Sequence, residues 1–452
     1  VRRVLDPSRM TRAVIRPAGG GAPAAAAHAP DAVKVAKTPL RNGAALITGV
    51  DRALPIAAIV VGFRGGVRAE TDASQGLSNL VAHLLTKGTG KRTASQIAQD
   101  VESLGGSLEP FSGRDGFGLV LQLLAKDVPK GLALMRDLVA DATFPEDELT
   151  IQRSLIESQL KAQEDELFDF GGRLLRQALF RTHPYRFNPL GDRKTLPSLN
   201  RQQCVEFAAA WMVPSNTVIA VFGDVDQDAV TQEIERAFGS LAAKDSPWPA
   251  EILPPPLTGI QSVSKTMDKE QALILLGFYG SRHSAPDRDA VDVMTAVLSG
   301  MSGRLFQSVR ERHGLSYTLG AAHAPGWDTG SLVVYAATRP GERDRVIGVL
   351  DEQLRLAAEK GFTDDEVAQA KRYLIGHHRL DLQHLTGLAK QSVLDELYGL
   401  GYDSWSTYEA RINAITVAQV NDAARKYLTL DRRAQVVISP KAPEPAVEPV
   451  AH

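Results

Sequence analysis

Apolar positions in this chain follow two periods, and each pattern occurs twice. Two continuous apolar runs, residues 56–63 (IAAIVVGF) and 272–278 (ALILLGF), predict strands. After the first run, Leu77, Leu80, Val81 and Leu84 recur at helical spacing, which predicts a helix with one apolar face, ended by Gly88. Further helices are predicted at about 95–104, 129–140 and 200–211, and a long one from Pro145-Glu146-Asp147-Glu148 through Gln159. Strands are predicted at about 107–114, 118–125 and 217–222. Past the second run come helices at 289–298, 304–312 and 343–357, and strands at 315–321 and 330–337.

A proline-rich stretch separates the two series. Ser246-Pro247-Trp248-Pro249 and Pro254-Pro255-Pro256 are hard to place inside a helix or strand and read as a linker. Phe144-Pro145-Glu146-Asp147-Glu148 matches Phe362-Thr363-Asp364-Asp365-Glu366 at an offset of 218. Gln203, Ala208, Trp211 and Met212 match Gln419, Ala424, Tyr427 and Leu428 at an offset of 216. The common order and offset imply an internal duplication. The expected fold is α/β (α+β), with two homologous mixed α/β domains. The limits read from the sequence are an N-terminal extension at 1–41, a first domain at 42–242, a linker at 243–262, a second domain at 263–440 and a tail at 441–452. The extension has no amphipathic period, is broken by Gly19-Gly20-Gly21 and Pro23, and is basic, which reads as a solvated tail.

Composition narrows the class without naming a chemistry. The 452 residues call for two or more domains, and 44% hydrophobic with 23% charged residues is ordinary for a soluble globular protein. A net charge of -2 points neither to nucleic acid nor to an anionic membrane. No run of 18 apolar residues is present, so no membrane insertion is expected, and no signal-peptide core is visible. Cys204 is the only cysteine, which excludes an intrachain disulfide and fits a soluble protein of the cytoplasm or the periplasm.

The most informative stretch is Gly76-Leu77-Ser78-Asn79-Leu80-Val81-Ala82-His83-Leu84-Leu85-Thr86-Lys87-Gly88-Thr89. Asn79 and His83 are four apart and share one helix face. The segment resembles the zinc-binding helix of the pitrilysin and mitochondrial processing peptidase family, whose inverted motif is His-x-x-Glu-His in a Gly-Leu-x-His-x-x-Glu-His context, followed by Lys-Gly-Thr. Gly76-Leu77 and Lys87-Gly88-Thr89 keep the frame, but the first ligand position holds Asn79, the general-base position Ala82, and only His83 survives. The family's third ligand, a Glu on a later helix, aligns with Gln159, with Glu157 and Glu164 nearby. An amide is a weak zinc ligand, and alanine takes no proton from a metal-bound water. The resemblance therefore implies no metal and no cofactor in this chain, with His83 a hydrogen-bonded helix histidine.

A second stretch, Gly303-Arg304-Leu305-Phe306-Gln307-Ser308-Val309-Arg310-Glu311-Arg312-His313-Gly314-Leu315-Ser316-Tyr317, sets Arg310 and Tyr317 seven apart across a helix end. On spacing alone these are a surface arginine and a strand tyrosine. The flanking residues resemble the family's Arg/Tyr pair, which binds the substrate backbone near the scissile bond. The resemblance covers roughly residues 42–440 and implies a non-zinc subunit of a heteromeric zinc metallopeptidase. Zinc and an intact His-x-x-Glu-His would sit on a homologous partner subunit, and Arg310 and Tyr317 would bind peptide in trans. A purely structural or binding subunit, like the core subunits of the respiratory bc1 complex, is the alternative from a different class. An autonomous peptidase with an atypical metal site is a third reading.

The remaining candidates are weaker. His377, His378 and His384 have no carboxylate motif to complete a metal site and read as exposed helix histidines. Gly300-Met301-Ser302-Gly303 resembles a family loop and reads equally as a turn, and Asp115 shows no partner. No Gly-x-x-x-x-Gly-Lys phosphate loop and no Gly-x-Ser-x-Gly elbow is present.

Overall fold

The computed structural model describes residues 33–300 and 303–441. In the first half, β1 (Lys34–Pro39), β2 (Ala45–Val50) and β3 (Ile56–Arg64) lead through a short 3-10 turn, Gly66–Ala69, into α1 (Leu77–Leu84). Then follow α2 (Ala94–Ser103), β4 (Ser107–Ser112), β5 (Gly116–Leu124), α3 (Val128–Ala140), α4 (Glu146–Asp165), α5 (Leu167–Phe180), α6 (Arg201–Trp211), β6 (Thr217–Gly223) and α7 (Gln227–Phe238). The second half runs β7 (Gln261–Met267), β8 (Ala272–Gly280), α8 (Arg288–Ser299), a π-wound helix at Phe306–Arg312, β9 (Ser316–Ala324) and β10 (Gly330–Thr338). It closes with α9 (Arg343–Lys360), α10 (Asp364–Asp381), α11 (Leu385–Leu397), α12 (Tyr408–Ala414), α13 (Val417–Tyr427) and β11 (Ala434–Pro440).

The duplication is visible in the topology. The first sheet has the order β1-β2-β6-β3-β5-β4 and the second β7-β11-β8-β10-β9, so the same five strands recur in the same order. One parallel pair stands at the matching place in each, β2 with β6 and β7 with β11. The repeat also reaches the helix starts. Gln203 and Gln419, matched in sequence, are the third residues of two capping boxes, closed by Asn200 on α6 and Thr416 on α13.

Each sheet buries one face under helices of its own half. The other face is covered by a helix from the opposite half. α5 of the first half lies on β8 and β11, and α11 of the second half lies on β3 and β6. Glycines on the sheets let these helices approach. A Cβ at Gly62 would sit 2.5 Å from Val393 of α11, and one at Gly277 would sit 2.9 Å from Leu175 of α5. The apolar faces of α5 and α11 are thus completed only across the two halves.

Several elements escape the hydrophobic pattern. β1 lies inside the stretch read as an extension, and β7 begins inside the stretch read as a linker. Both are edge strands with half-exposed, lysine-bearing sequences, KVAKTP and QSVSKTM, which dilute the alternation a strand needs to be seen. α5 carries Gly171 and Gly172 mid-helix, which weakens its helical signal, and Gly171 lies where the helix comes close to the second sheet: a Cβ there would meet the Leu273 side chain at 2.8 Å. Residues 1–32 of the expected extension, residues 301–302 of the glycine loop and the tail from 442 lie outside the described residues.

Candidate functional site

The helix α1 starts where Gly76 takes a left-handed φ of +88°. No side chain of its own caps it. Instead the buried Glu70 carboxylate, delivered by the preceding turn, accepts hydrogen bonds from the Gly76 and Ser78 N–H groups at 2.8 and 2.9 Å. Burial pushes the Glu70 carboxyl up to about 8, against the opposing pull of these two donors.

On this helix Asn79 and Ala82 are buried and His83 is half-buried. The Asn79 Nδ2 is buried and meets no hydrogen-bond partner among the described residues. Ala82 is packed within the apolar core of the first half. Burial lowers the His83 pKa, and Lys87 lowers it further, which favours the neutral imidazole. Gln159 is exposed on α4, a helix that packs against α1 through its other face. The nearby carboxylates are turned to arginines: Glu157 lies 3.8 Å and Glu164 3.3 Å from Arg193. One imidazole with two amides does not fit a catalytic zinc site. Among the described residues, no group of three or more His, Cys, Asp or Glu is gathered so as to hold a metal.

The second candidate lies at the end of the π-wound helix, a rare winding. Gly314, at φ +60°, turns the chain into β9, with its N–H donating to the Arg310 carbonyl at 2.9 Å. The Arg310 guanidinium stands 4.7 Å from the Phe306 ring centre and 5.2 Å from that of Tyr317. Tyr317 is 80% exposed. Neither polar head makes a hydrogen bond among the described residues.

The weaker histidine candidates come together more than expected. His377 and His384 are exposed and His378 is half-buried, its Nε2 2.9 Å from the Trp405 carbonyl oxygen, and all three line a cavity of about 740 Å³ in the second half.

A buried polar network between the halves has no counterpart in the sequence reading. Arg68 donates to both oxygens of Asp328, at 2.6 and 2.9 Å, and also to the Ala250 carbonyl of the linker. His183 Nε2 lies 3.0 Å from the same carboxylate, and all three side chains are fully buried. Burial works to raise the Asp328 carboxyl, but the hydrogen bonds from His183 and Arg68 outweigh it and hold it below the usual carboxylate range. Asp115, which shows no partner in sequence, accepts from the buried Tyr185 hydroxyl at 2.5 Å. Arg68, His183 and Asp328 are separated by more than a hundred residues each, so only the folded chain reveals them.

Two family models match this chain. Residues 50–192 match insulinase (peptidase family M16), and residues 198–374 match the peptidase M16 inactive domain. An uncharacterised zinc protease of Mycobacterium leprae is 30% identical over 411 residues, spanning 90% of this chain and 92% of the relative. The chain belongs to peptidase family M16. An uncharacterised zinc protease of Bacillus subtilis is 27% identical, spanning 90% of this M16 chain and 98% of the relative. In fold, a crystal structure of a peptidase M16 inactive domain from Pseudomonas fluorescens superposes with a TM-score of 0.84 at 23% identity, covering 91% of this chain and 98% of that one. A protease from Helicobacter pylori gives 0.82 at 18% identity, covering 90% and 100%. Zinc protease is thus the name of relatives. Among its described residues no helix is long and apolar enough to cross a membrane.

Proposed function

We propose that this M16 chain is the zinc-lacking subunit of a heteromeric zinc metallopeptidase, and that Arg310 and Tyr317 hold peptide for a homologous subunit bearing the intact motif. The observation that carries this reading is the exposed pair itself. A phenol left in solvent beside a guanidinium that, among the described residues, meets only two aromatic rings contributes little to the fold, yet both heads are free to meet a ligand. The guanidinium offers a planar fork to a peptide carbonyl or carboxylate. The phenol can donate to an oxygen that gains negative charge as a peptide carbonyl is attacked. The metal and the general base would come from the partner subunit, because the α1 positions here supply neither. The peptide-binding half and the hydrolytic half of the site would then lie on different chains, with an interface at or above the standard ~1,600 Å² of total buried surface.

The test replaces Arg310 by Ala and Tyr317 by Phe in this chain alone, and mixes each variant with the motif-bearing homologue. If the pair acts in the transition state, kcat falls by about a hundred- to a thousandfold, equivalent to ~2.7–4 kcal/mol, while assembly and zinc content stay unchanged. If it binds the ground state, KM rises with kcat held. Wild-type kinetics from both variants in an assembled complex would sink the proposal in favour of a purely structural subunit. The isolated chain should bind no stoichiometric zinc. One tightly bound zinc per chain, lost on His83→Ala, would contradict the reading at its root.

A further inference from the structure

The exchanged helix α5 does not seal the second sheet completely. Between α5, β8 and β10 lies a cavity of about 250 Å³. Phe168, Leu275 and Tyr335 are among its walls, and its polar lining includes Arg114, Arg176 and Ser331. Arg176 is half-buried, its Nε is fully buried, and its guanidinium makes no hydrogen bond or ion pair among the described residues. Arg114 donates to the Ala324 carbonyl at 3.1 Å and to the Ser331 hydroxyl at 3.5 Å, stacks over Tyr185 at 4.7 Å, and pairs with no carboxylate among the described residues.

The surrounding charges leave this pair uncompensated. Burial first, then Arg114 and Arg173, pull the Arg176 pKa down to about 10, with Asp169 opposing. The other nearby carboxylate, Asp115, is turned to the Tyr185 hydroxyl and lies 3.5 Å from His283. Withdrawing a guanidinium from water without a partner is costly. Arg176 is such a group, and Arg114, bonded only to neutral oxygens, adds a second positive charge at the same cavity; with aromatic and aliphatic walls beside them, the two fit an anion that carries an apolar body.

We propose that this cavity binds a carboxylate borne on an apolar group, with the carboxylate on Arg114 and Arg176 and the apolar body against Phe168, Leu275 and Tyr335. The volume suits one aliphatic or aromatic side chain rather than an extended peptide. The same chemistry is offered by the C-terminal residue of a peptide and by a free aliphatic acid. This site does not depend on the role given to Arg310 and Tyr317, which lie on other elements.

Calorimetric titration of the full chain tests the proposal. N-acetyl-leucine should bind. N-acetyl-leucinamide, which lacks the charge, and acetate, which lacks the body, should each bind at least about tenfold more weakly, as loss of a charge-assisted contact or of buried apolar surface requires. Arg176→Gln should weaken N-acetyl-leucine by at least about tenfold, and Arg176→Lys should retain part of the affinity. With no ligand present, Arg176→Gln should melt at or above the wild type, because no internal bond is lost. Melting well below it would show Arg176 to be a structural group and overturn the proposal. So would equal binding of acid and amide, or no binding of the acid at millimolar concentration. A leucine-terminated pentapeptide and octanoate then separate the sources. Tighter binding of the peptide acid assigns a peptide C-terminus, tighter binding of octanoate a free acid, and either result supports the site.

Discussion

The helices α5 and α11 perform the same task in opposite directions, each leaving its own half to cover the sheet of the other. Each also buries charge, of opposite sign. α5 carries Arg176, with no partner among the described residues, beside a cavity of about 250 Å³. α11 carries Asp395, buried, lining the cavity of about 740 Å³ and bonded through its side chain to Gln391 at 2.7 Å. Where α11 crosses β3 the contact is closed, with Val393 against Gly62 and the Lys390 ammonium 4.5 Å from the Phe111 ring centre. Where α5 crosses β8, Leu175 meets Gly277 but also borders open space. Duplication therefore preserved the exchange of helices and let the two crossings diverge, one towards packing and one towards a cavity.

The largest expected effect comes from breaking the exchange itself. Residues 33–245 and 257–441 expressed separately should each lack a cooperative unfolding transition by circular dichroism, because each sheet would expose one apolar face. Co-expressed, the two pieces should co-purify. A stable, monomeric, cooperatively folded piece would show that the exchanged helix is dispensable. Next in size is the junction network. Arg68→Met leaves Asp328 buried without its guanidinium and should cost about 3–5 kcal/mol in urea unfolding, whereas Arg68→Met with Asp328→Leu should recover most of it.

The two crossings should then answer differently to one methyl group. Gly62→Ala and Gly277→Ala both force an overpacked contact worth about 1–3 kcal/mol. Gly62→Ala should be the costlier, since Val393 is hemmed in and Leu175 can move into the cavity. Equal losses in urea unfolding would remove the distinction between a closed and an open crossing. The smallest effect concerns Asp395, whose carboxyl is raised to about 6 by burial, against the Gln391 hydrogen bond. A raised carboxyl gives stability that is full below the unfolded value of about 3.9 and lost as pH rises through the folded value. Asp395→Asn keeps an acceptor for Gln391 and removes the ionisation. Its unfolding free energy should therefore gain on the wild type between pH 4 and pH 7, by an amount on the order of 1–3 kcal/mol at most, read from urea unfolding at each pH. A constant difference across that range would show that Asp395 titrates normally.

Much of the architecture was legible because long apolar runs and helical spacing are local signals. The strands β3, β5, β6, β8 and β10 and the helices α1, α3, α4, α8 and α9 carry them plainly. The duplication was legible from two short matches, one of which proves to be the third residue of a capping box. What the sequence hid depends on the partner surface. Edge strands β1 and β7 are polar because one side has no neighbour, and α5 is glycine-bearing because a sheet from the other half lies against it. The helix that carries Asn79, Ala82 and His83 and the helix-to-strand turn between Arg310 and Tyr317 were readable from spacing, but the burial of Asn79 and the solvent exposure of Tyr317 were not. The Arg68–Asp328–His183 network and the Arg114–Arg176 cavity join residues far apart in sequence, a relation that no periodicity records.

The exchanged helices also fix an order of events during synthesis. The inner face of β3, finished early on the ribosome, waits for Val393 of α11, more than three hundred residues later, before it is covered. Until then, the nascent first half presents an apolar sheet face to whatever is nearby, a state prone to non-native association. The second sheet has no such delay, since α5 has already emerged when β8 is made. Slow or interrupted translation between residues 240 and 385 should thus be the most hazardous interval for this chain, and the one in which a holding chaperone matters most.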